Sequence, residues 1–196
     1  GVPAERTEEV MGRIGSESSR MATLVEDLLT LARLDEGRPL EITDIDLVKL
    51  ADNAVFDLQA LDPTRTVGLT GITGRTPPMS LIVPGDRDRL SQVFTNLIGN
   101  IVRYTPAGSP VEIALGLSGD TAIVELRDHG PGIDENDRGR VFERFYRADT
   151  SRNRKSGGSG LGLAIVSGIL AAHRGRASLT KTKGGGLTVR IELPTA

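Results

Sequence analysis

The chain has 196 residues, enough for one domain of ordinary size with an appendage. A formal net charge of −2 and the lack of cysteine remove any general case for a nucleic-acid or anionic-membrane surface, and they exclude disulfides and thiolate metal sites. Hydrophobic residues make up 38% but aromatics only 3%, so an aliphatic core is expected, and no apolar run approaches the ~20 residues that span a bilayer. No signal peptide is visible, and because the sequence opens on Gly1 it is read as a piece of a longer protein, with a membrane anchor expected upstream.

Residues 4–35 are predicted as one long helix, with Val10, Ile14, Met21, Leu24, Leu28 and Leu31 near heptad spacing and Glu17 interrupting. Gly37 and Pro39 end it. Such a stripe serves either to fold back on the main domain or to meet a partner helix. From Leu40 the pattern becomes mixed. A strand at 40–44 is followed by Asp46 as N-cap of a helix that buries Leu47, Leu50, Ala51, Ala54, Val55, Leu58 and Leu61. Strands are predicted at 66–70 and 79–83, a helix over about 86–104, a hairpin of 111–117 with 122–127, and a short amphipathic piece at 141–146. A buried helix at 161–173 and strands at 176–181 and 187–193 close the chain. The expected fold is α+β, a two-layer sandwich of three helices on a mixed sheet, preceded by the long helix.

Three places suggest chemistry. On the helix at 86–104, Arg89, Gln92, Asn96, Asn100 and Arg103 share one stripe opposite the apolar face. This is either a solvated face or a row of oxygen ligands and a cation for phosphate and Mg²⁺, a hard ion that suits an amide carbonyl. Asp128 follows the inward alternation of Ala122, Val124 and Leu126, so its carboxylate is expected to be buried and to need a donor, either within a Gly-Pro-Gly turn or as the exocyclic amine of adenine. The run Gly157–Leu163 leads straight into a helix, where backbone N–H groups and the helix dipole favour phosphate, though it matches neither a P-loop nor a dinucleotide fingerprint. The basic segment 152–155 between the glycine clusters reads either as a lid or as a plain loop.

Together these segments resemble the sensor histidine kinases of two-component systems. Residues 96–105 resemble their N box, 128–133 their first glycine box, 141–147 their F box and 158–166 their second glycine box. Residues 16–35 are similar to the second helix of the dimerisation and phosphotransfer domain, so 1–39 is assigned to that helix and 40–196 to the catalytic ATP-binding domain of the histidine kinase and gyrase type.

The resemblance implies ATP and Mg²⁺ as ligands. Asn100 would hold the metal with Asn96 nearby, Arg103 would contact phosphate, and Tyr104 would line the pocket. Asp128 would accept from the adenine amine, with Gly130, Gly132 and Ile133 around the base. Phe142 and Phe145 would anchor a lid whose cations are Arg152 and Arg154. Gly158, Ser159, Gly160, Leu161 and Gly162 would pass the phosphates. ATP-hydrolysing relatives place a Glu where Asn96 stands, and an amide cannot take a proton from water, so transfer to a protein acceptor is implied. The implied partners are a response-regulator receiver domain and a second copy of the chain through the N-terminal helix, with no direct nucleic acid. The implied place is the cytoplasmic side of a membrane-anchored protein.

Three departures stand out, at Ile101, at 173–175 and at 184–189, and none is expected to touch a ligand directly. Neither histidine, His129 or His173, lies on the N-terminal helix. The acceptor would therefore lie upstream, and this chain is expected to bind ATP without phosphorylating itself. A serine or threonine kinase of the same fold, a nucleotide sensor and a ligand-free coiled coil are the competing readings.

Overall fold

The computed structural model describes residues 4–147 and 158–195, with only the backbone of residues 4–9 and 16 among them. Arg152 and Arg154 lie outside the described residues.

In chain order the elements are α1 (Ala4–Asp35), β1 (Thr43–Asp46), α2 (Leu47–Leu61), β2 (Val67–Gly71), β3 (Ile82–Gly85), α3 (Arg87–Tyr104), β4 (Val111–Ser118), β5 (Thr121–Asp128), α4 (Gly162–Ala172), β6 (Arg176–Lys181) and β7 (Leu187–Pro194). The five-stranded sheet runs β2-β4-β5-β7-β6, with β2 and β4 parallel and the other neighbours antiparallel. Helices α2, α3 and α4 pack over it, so the expected α+β sandwich holds. β1 and β3 form a separate antiparallel pair.

Local signals account for most boundaries. Asp46 Oδ1 accepts from Val48 N at 3.1 Å and Asp86 Oδ1 from Arg89 N at 3.1 Å, so a carboxylate caps each of α2 and α3. Gly37 closes α1 at φ 61, a conformation glycine adopts without steric cost. The β4–β5 hairpin turns at Gly119 and Asp120, with Gly119 at φ 58.

The core is aliphatic, drawn from the inner faces of α2, α3, α4 and the sheet. The outer face of the sheet carries charges instead. Glu112 pairs across strands with Arg127, Glu125 with Arg190, and Arg176 with Glu192. Burial pushes the Glu125 carboxyl up, but hydrogen bonds from Arg127 and Arg190 outweigh it and hold the group below the usual carboxylate range.

Several expectations need correction. The strands predicted at 40–44 and 79–83 form at 43–46 and 82–85, because Thr43 pairs with Gly85 and Asp46 with Ile82. Met79 is fully exposed and Leu61 faces solvent. The amphipathic piece at 141–146 takes the form of turns and a bend over 141–145. Along α1, Val10, Ile14, Met21 and Leu28 are exposed, while Leu31 is buried and Leu24 and Leu34 pack on the core. The C-terminal half of α1 is the part that docks, and it does so against α4.

Candidate functional site

A cavity of about 700 Å³ opens between α3, the start of α4, the ends of β5 and β7, and α1. Asn96, Asn100 and Arg103 reach it from α3, as helical steps of three and four residues require. Among the described residues the buried Asn96 Nδ2 has no hydrogen-bond partner, so an amide donor is held ready for a ligand acceptor. Glycines bring the facing chain close. A Cβ at Gly162 would lie 3.5 Å from Asn96 Oδ1 and 3.8 Å from Asn100 Oδ1, between the two amides and the helix start. A Cβ at Gly158 would lie 2.8 Å from both Arg103 Nη1 and Tyr104 Oη, so the Gly158 backbone packs directly against the tips of these two side chains.

The N-cap of α4 is Leu161, which brings no side-chain oxygen. Gly162 and Leu163 of the first turn line the cavity and no side chain caps the helix, so the positive end of the α4 dipole lies at the cavity. Buried Leu161 fixes this helix start in the core, so it shapes the site without lining it.

The other end of the cavity is built around Asp128. Its Oδ1 accepts from Gly130 N at 2.9 Å and Leu187 N at 3.1 Å, and among the described residues Oδ2 has no partner. The carboxylate is thus held by backbone donors with one oxygen left to accept from a ligand. A Cβ on Gly130 would strike Thr105 Cγ2 at 2.8 Å, and one on Gly186 would lie 2.0 Å from Asp128 O. Gly186, at φ 104, therefore lets β7 close on the end of β5 and brings Leu187 N to the carboxylate. Leu187 and Val189 also line the cavity. Ile101 lines it as well, so two of the three departures from the family pattern, Ile101 and 184–189, stand at the cavity, and the Leu187 N–H of the second helps to hold Asp128.

Of the expected site residues, the cavity collects Asn96, Asn100, Arg103, Tyr104, Asp128, Gly132, Ile133, Ser159, Gly160 and Gly162. Gly130 and Gly158 stand directly behind this lining. Phe145 is not brought in. It is 60% exposed at φ 62, and its N–H donates to Gly160 O at 3.0 Å. Phe142 likewise is not part of the lining, whereas Val141 and Tyr146 are. Tyr146 donates to Asp137 Oδ1 at 2.5 Å, a bond that pushes its hydroxyl pKa up and fixes the ring beside the cavity. Its place in the aromatic run was the only available signal for it.

No pattern marked the contribution of α1. Arg20, Thr23, Leu24 and Asp27 all line the cavity. Asp27 Oδ2 accepts from Ser159 Oγ at 3.2 Å. Burial pushes the Asp27 carboxyl up, partly countered by the Ser159 bond, with Glu26 adding to the rise and Arg103 opposing it. Gln92 donates to Thr30 at 3.3 Å, and Arg144 grips Asp35 through both carboxylate oxygens at 2.9 and 2.6 Å. The Arg144 bond holds the Asp35 carboxyl below its usual range.

Neither histidine faces the cavity. His173 is buried, with Nδ1 bonded to Ile169 O of its own helix at 2.8 Å and Nε2 accepting from Asp86 N at 2.9 Å, so one ring nitrogen closes the end of α4 and the other ties it to the start of α3. Among the described residues no group of three or more His, Asp or Glu side chains is placed to hold a metal. A divalent cation here would need oxygens from its ligand, and the Asn100 amide fits one hard oxygen donor in such a set. No helix among the described residues is long and apolar enough to cross a membrane.

Residues 85–196 match the family described as histidine kinase-, DNA gyrase B- and HSP90-like ATPase. The chain is 42% identical over 184 residues to the probable sensor histidine kinase TcrY of Mycobacterium tuberculosis, covering 94% of this chain and 38% of TcrY. The ATP-binding domain of PrrB from Mycobacterium tuberculosis superposes with a TM-score of 0.64 at 28% identity, over 80% of this chain and 98% of that one. Full-length ShkA, solved in complex with AMPPNP, superposes with a TM-score of 0.80 at 26% identity, over all of this chain and 40% of that one. The chain thus spans about two fifths of the length of TcrY and of ShkA. The matched residues run from the start of α3 to the end of β7, the span that builds every cavity wall but the one α1 supplies, and on that ground the chain belongs to the histidine kinase-, DNA gyrase B- and HSP90-like ATPase family, among the sensor histidine kinases.

Proposed function

We propose that this chain binds ATP with Mg²⁺ in the cavity and donates the γ-phosphate to a histidine that lies outside these 196 residues, for relay to a response-regulator aspartate. The observation that carries the reading is the pairing of a carboxylate held by backbone donors, Asp128, with an unpartnered buried amide, Asn96 Nδ2, at a helix start without a side-chain cap. Asp128 Oδ2 suits the exocyclic amine of adenine and would repel the carbonyl of guanine. Arg103, Asn96 and the first-turn N–H groups of α4 would take the phosphate oxygens. Asn100 would hold Mg²⁺, which when bound neutralises charge on the phosphate oxygens. Asn96 has no basic oxygen to accept a proton from water, so the site favours a protein acceptor over hydrolysis.

The division at residues 39 and 40, pairing of two copies through α1, and anchorage of the whole protein at the inner face of a bacterial membrane belong to the same proposal. The exposed apolar residues Val10, Ile14, Met21 and Val25 on α1 support the pairing. Bound AMPPNP in ShkA, a relative of this fold, supports a nucleotide as the ligand.

The test is titration of the 196-residue chain with a fluorescent ATP analogue in Mg²⁺, followed by labelled ATP. Micromolar binding that Asp128→Asn abolishes is expected, with no acid-labile phosphate on His129 or His173. Labelled phosphate should then appear on the acceptor histidine when the preceding helix is included. Label on His129 or His173, or binding indifferent to Asp128, would overturn the reading.

A further inference from the structure

Arg65 lies outside the cavity, in the turn between α2 and β2, and its side chain is 1% exposed. Burying a guanidinium so completely is costly unless its donors are satisfied. Its Nη1 donates to Thr105 Oγ1 at 2.8 Å, Ser109 O at 2.9 Å and Ser109 Oγ at 3.0 Å. Its Nη2 donates to Pro106 O at 3.1 Å and pairs with Asp62 Oδ2 at 3.2 Å. The same Asp62 oxygen accepts from Gly108 N at 2.9 Å. The fork and its carboxylate therefore hold one segment, residues 105–109, that leaves the end of α3. Of the guanidinium nitrogens, Nε is buried without a partner among the described residues.

That segment leads to the base end of the cavity. Thr105 follows Tyr104 directly and lines the cavity with it. Its hydroxyl accepts from Arg65 and donates to Ile101 O at 2.7 Å, which fixes its rotamer. Its methyl Cγ2 then stands where a Cβ on Gly130 would be only 2.8 Å away. Gly130 N is in turn the donor to Asp128 Oδ1 at 2.9 Å. Two packed steps connect the guanidinium to the carboxylate that faces the base.

We propose that Arg65 is a positioning residue for the base end of the nucleotide site. It sets Thr105, and through Thr105 the Gly130–Asp128 pair, without touching the nucleotide. The proposal rests on the reading of Asp128 as the base acceptor.

The test uses the 196-residue chain with two substitutions. Arg65→Lys keeps the charge and loses the planar fork. Thr105→Val keeps the methyl group and loses the hydroxyl. Calorimetric titration with ATP, GTP and inorganic tripolyphosphate, each with Mg²⁺, is read beside the melting temperature. Both variants are expected to bind ATP about tenfold more weakly, the scale of one lost charge-assisted hydrogen bond. Their preference for ATP over GTP should shrink, while tripolyphosphate binds as before. A lowered melting temperature with ATP affinity and base preference intact makes Arg65 purely structural and overturns the proposal. A parallel loss of tripolyphosphate affinity overturns it too, because the effect is then not confined to the base end. If Arg65→Lys does not fold, Thr105→Val decides on the same criteria. Base preference that survives Asp128→Asn would instead refute the underlying reading of Asp128, and the proposal with it.

Discussion

Asp27 on α1 and Ser159 before α4 meet at 3.2 Å, a hydrogen bond that ties positions 132 residues apart. It puts a carboxylate beside the glycine-rich entry to α4, within electrostatic reach of Arg103. Asp27 thus engages one of the donors proposed for the phosphates and presents negative charge to a polyphosphate. Asp27→Asn is expected to tighten ATP binding three- to tenfold, about 1 kcal/mol for a half-exposed charge. The measurement is titration with a fluorescent ATP analogue at fixed salt. Weaker binding in the variant would show instead that Asp27 helps to hold the cation.

Asn100→Ala should weaken Mg²⁺–ATP binding by ten- to a hundredfold, on the order of one lost charge-assisted contact. With the metal chelated by EDTA, the variant and the unchanged chain should differ much less. Equal affinities in Mg²⁺ would remove Asn100 from the metal site.

Gly186 and Gly184 make a paired test of the β6–β7 turn. Both have positive φ, 104 and 90, but only Gly186 has a neighbour where a Cβ would go, Asp128 O at 2.0 Å. Gly184→Ala should cost about 1 kcal/mol from backbone strain alone. Gly186→Ala should cost about 3 kcal/mol and loosen ATP, because the end of β7 must move off Asp128. Thermal unfolding and a nucleotide titration check both, and equal effects would rule out the close approach.

Acid should unfold the chain partly through the ladder on the outer face of the sheet. Hydrogen bonds from Arg190 and then Arg176 hold the Glu192 carboxyl down, and Glu125 is also lowered. Groups lowered in the folded state stabilise it above the unfolded value, about 4.3 for glutamate, and that stability is lost as pH falls through their folded values. Denaturant midpoints should therefore be flat from about pH 7 to pH 5 and fall below about pH 4.5. Glu125→Gln should make that acid limb shallower, and an unchanged limb would exclude the ladder as its cause.

Much of this protein was legible along the chain because the signals are local. Asp46 and Asp86 cap their helices through atoms two and three residues away, and Gly119 turns the hairpin by its own φ. The spacing of Asn96, Asn100 and Arg103 put three polar groups on one side of α3, and the alternation of β5 turned Asp128 inward.

Other features depend on residues far apart in sequence that only the packed fold brings together. Leu187 reaches Asp128 across 59 positions and Arg65 reaches Thr105 across 40, and neither pair carries a periodic or motif signal. The heptad stripe of α1 is equally apolar at Ile14 and Leu31, yet only Leu31 is buried, because α4 passes beneath that half of the helix alone. Phe145 shows the converse. The family resemblance made it a lid anchor at the site, but its N–H is committed to Gly160 O and its backbone sits at φ 62, which leaves the ring in solvent. Propensity and spacing set which elements form and which way their side chains face. Long-range packing, whose entropy of closure is repaid only once the whole sheet and its helices assemble, set which of those faces became a site.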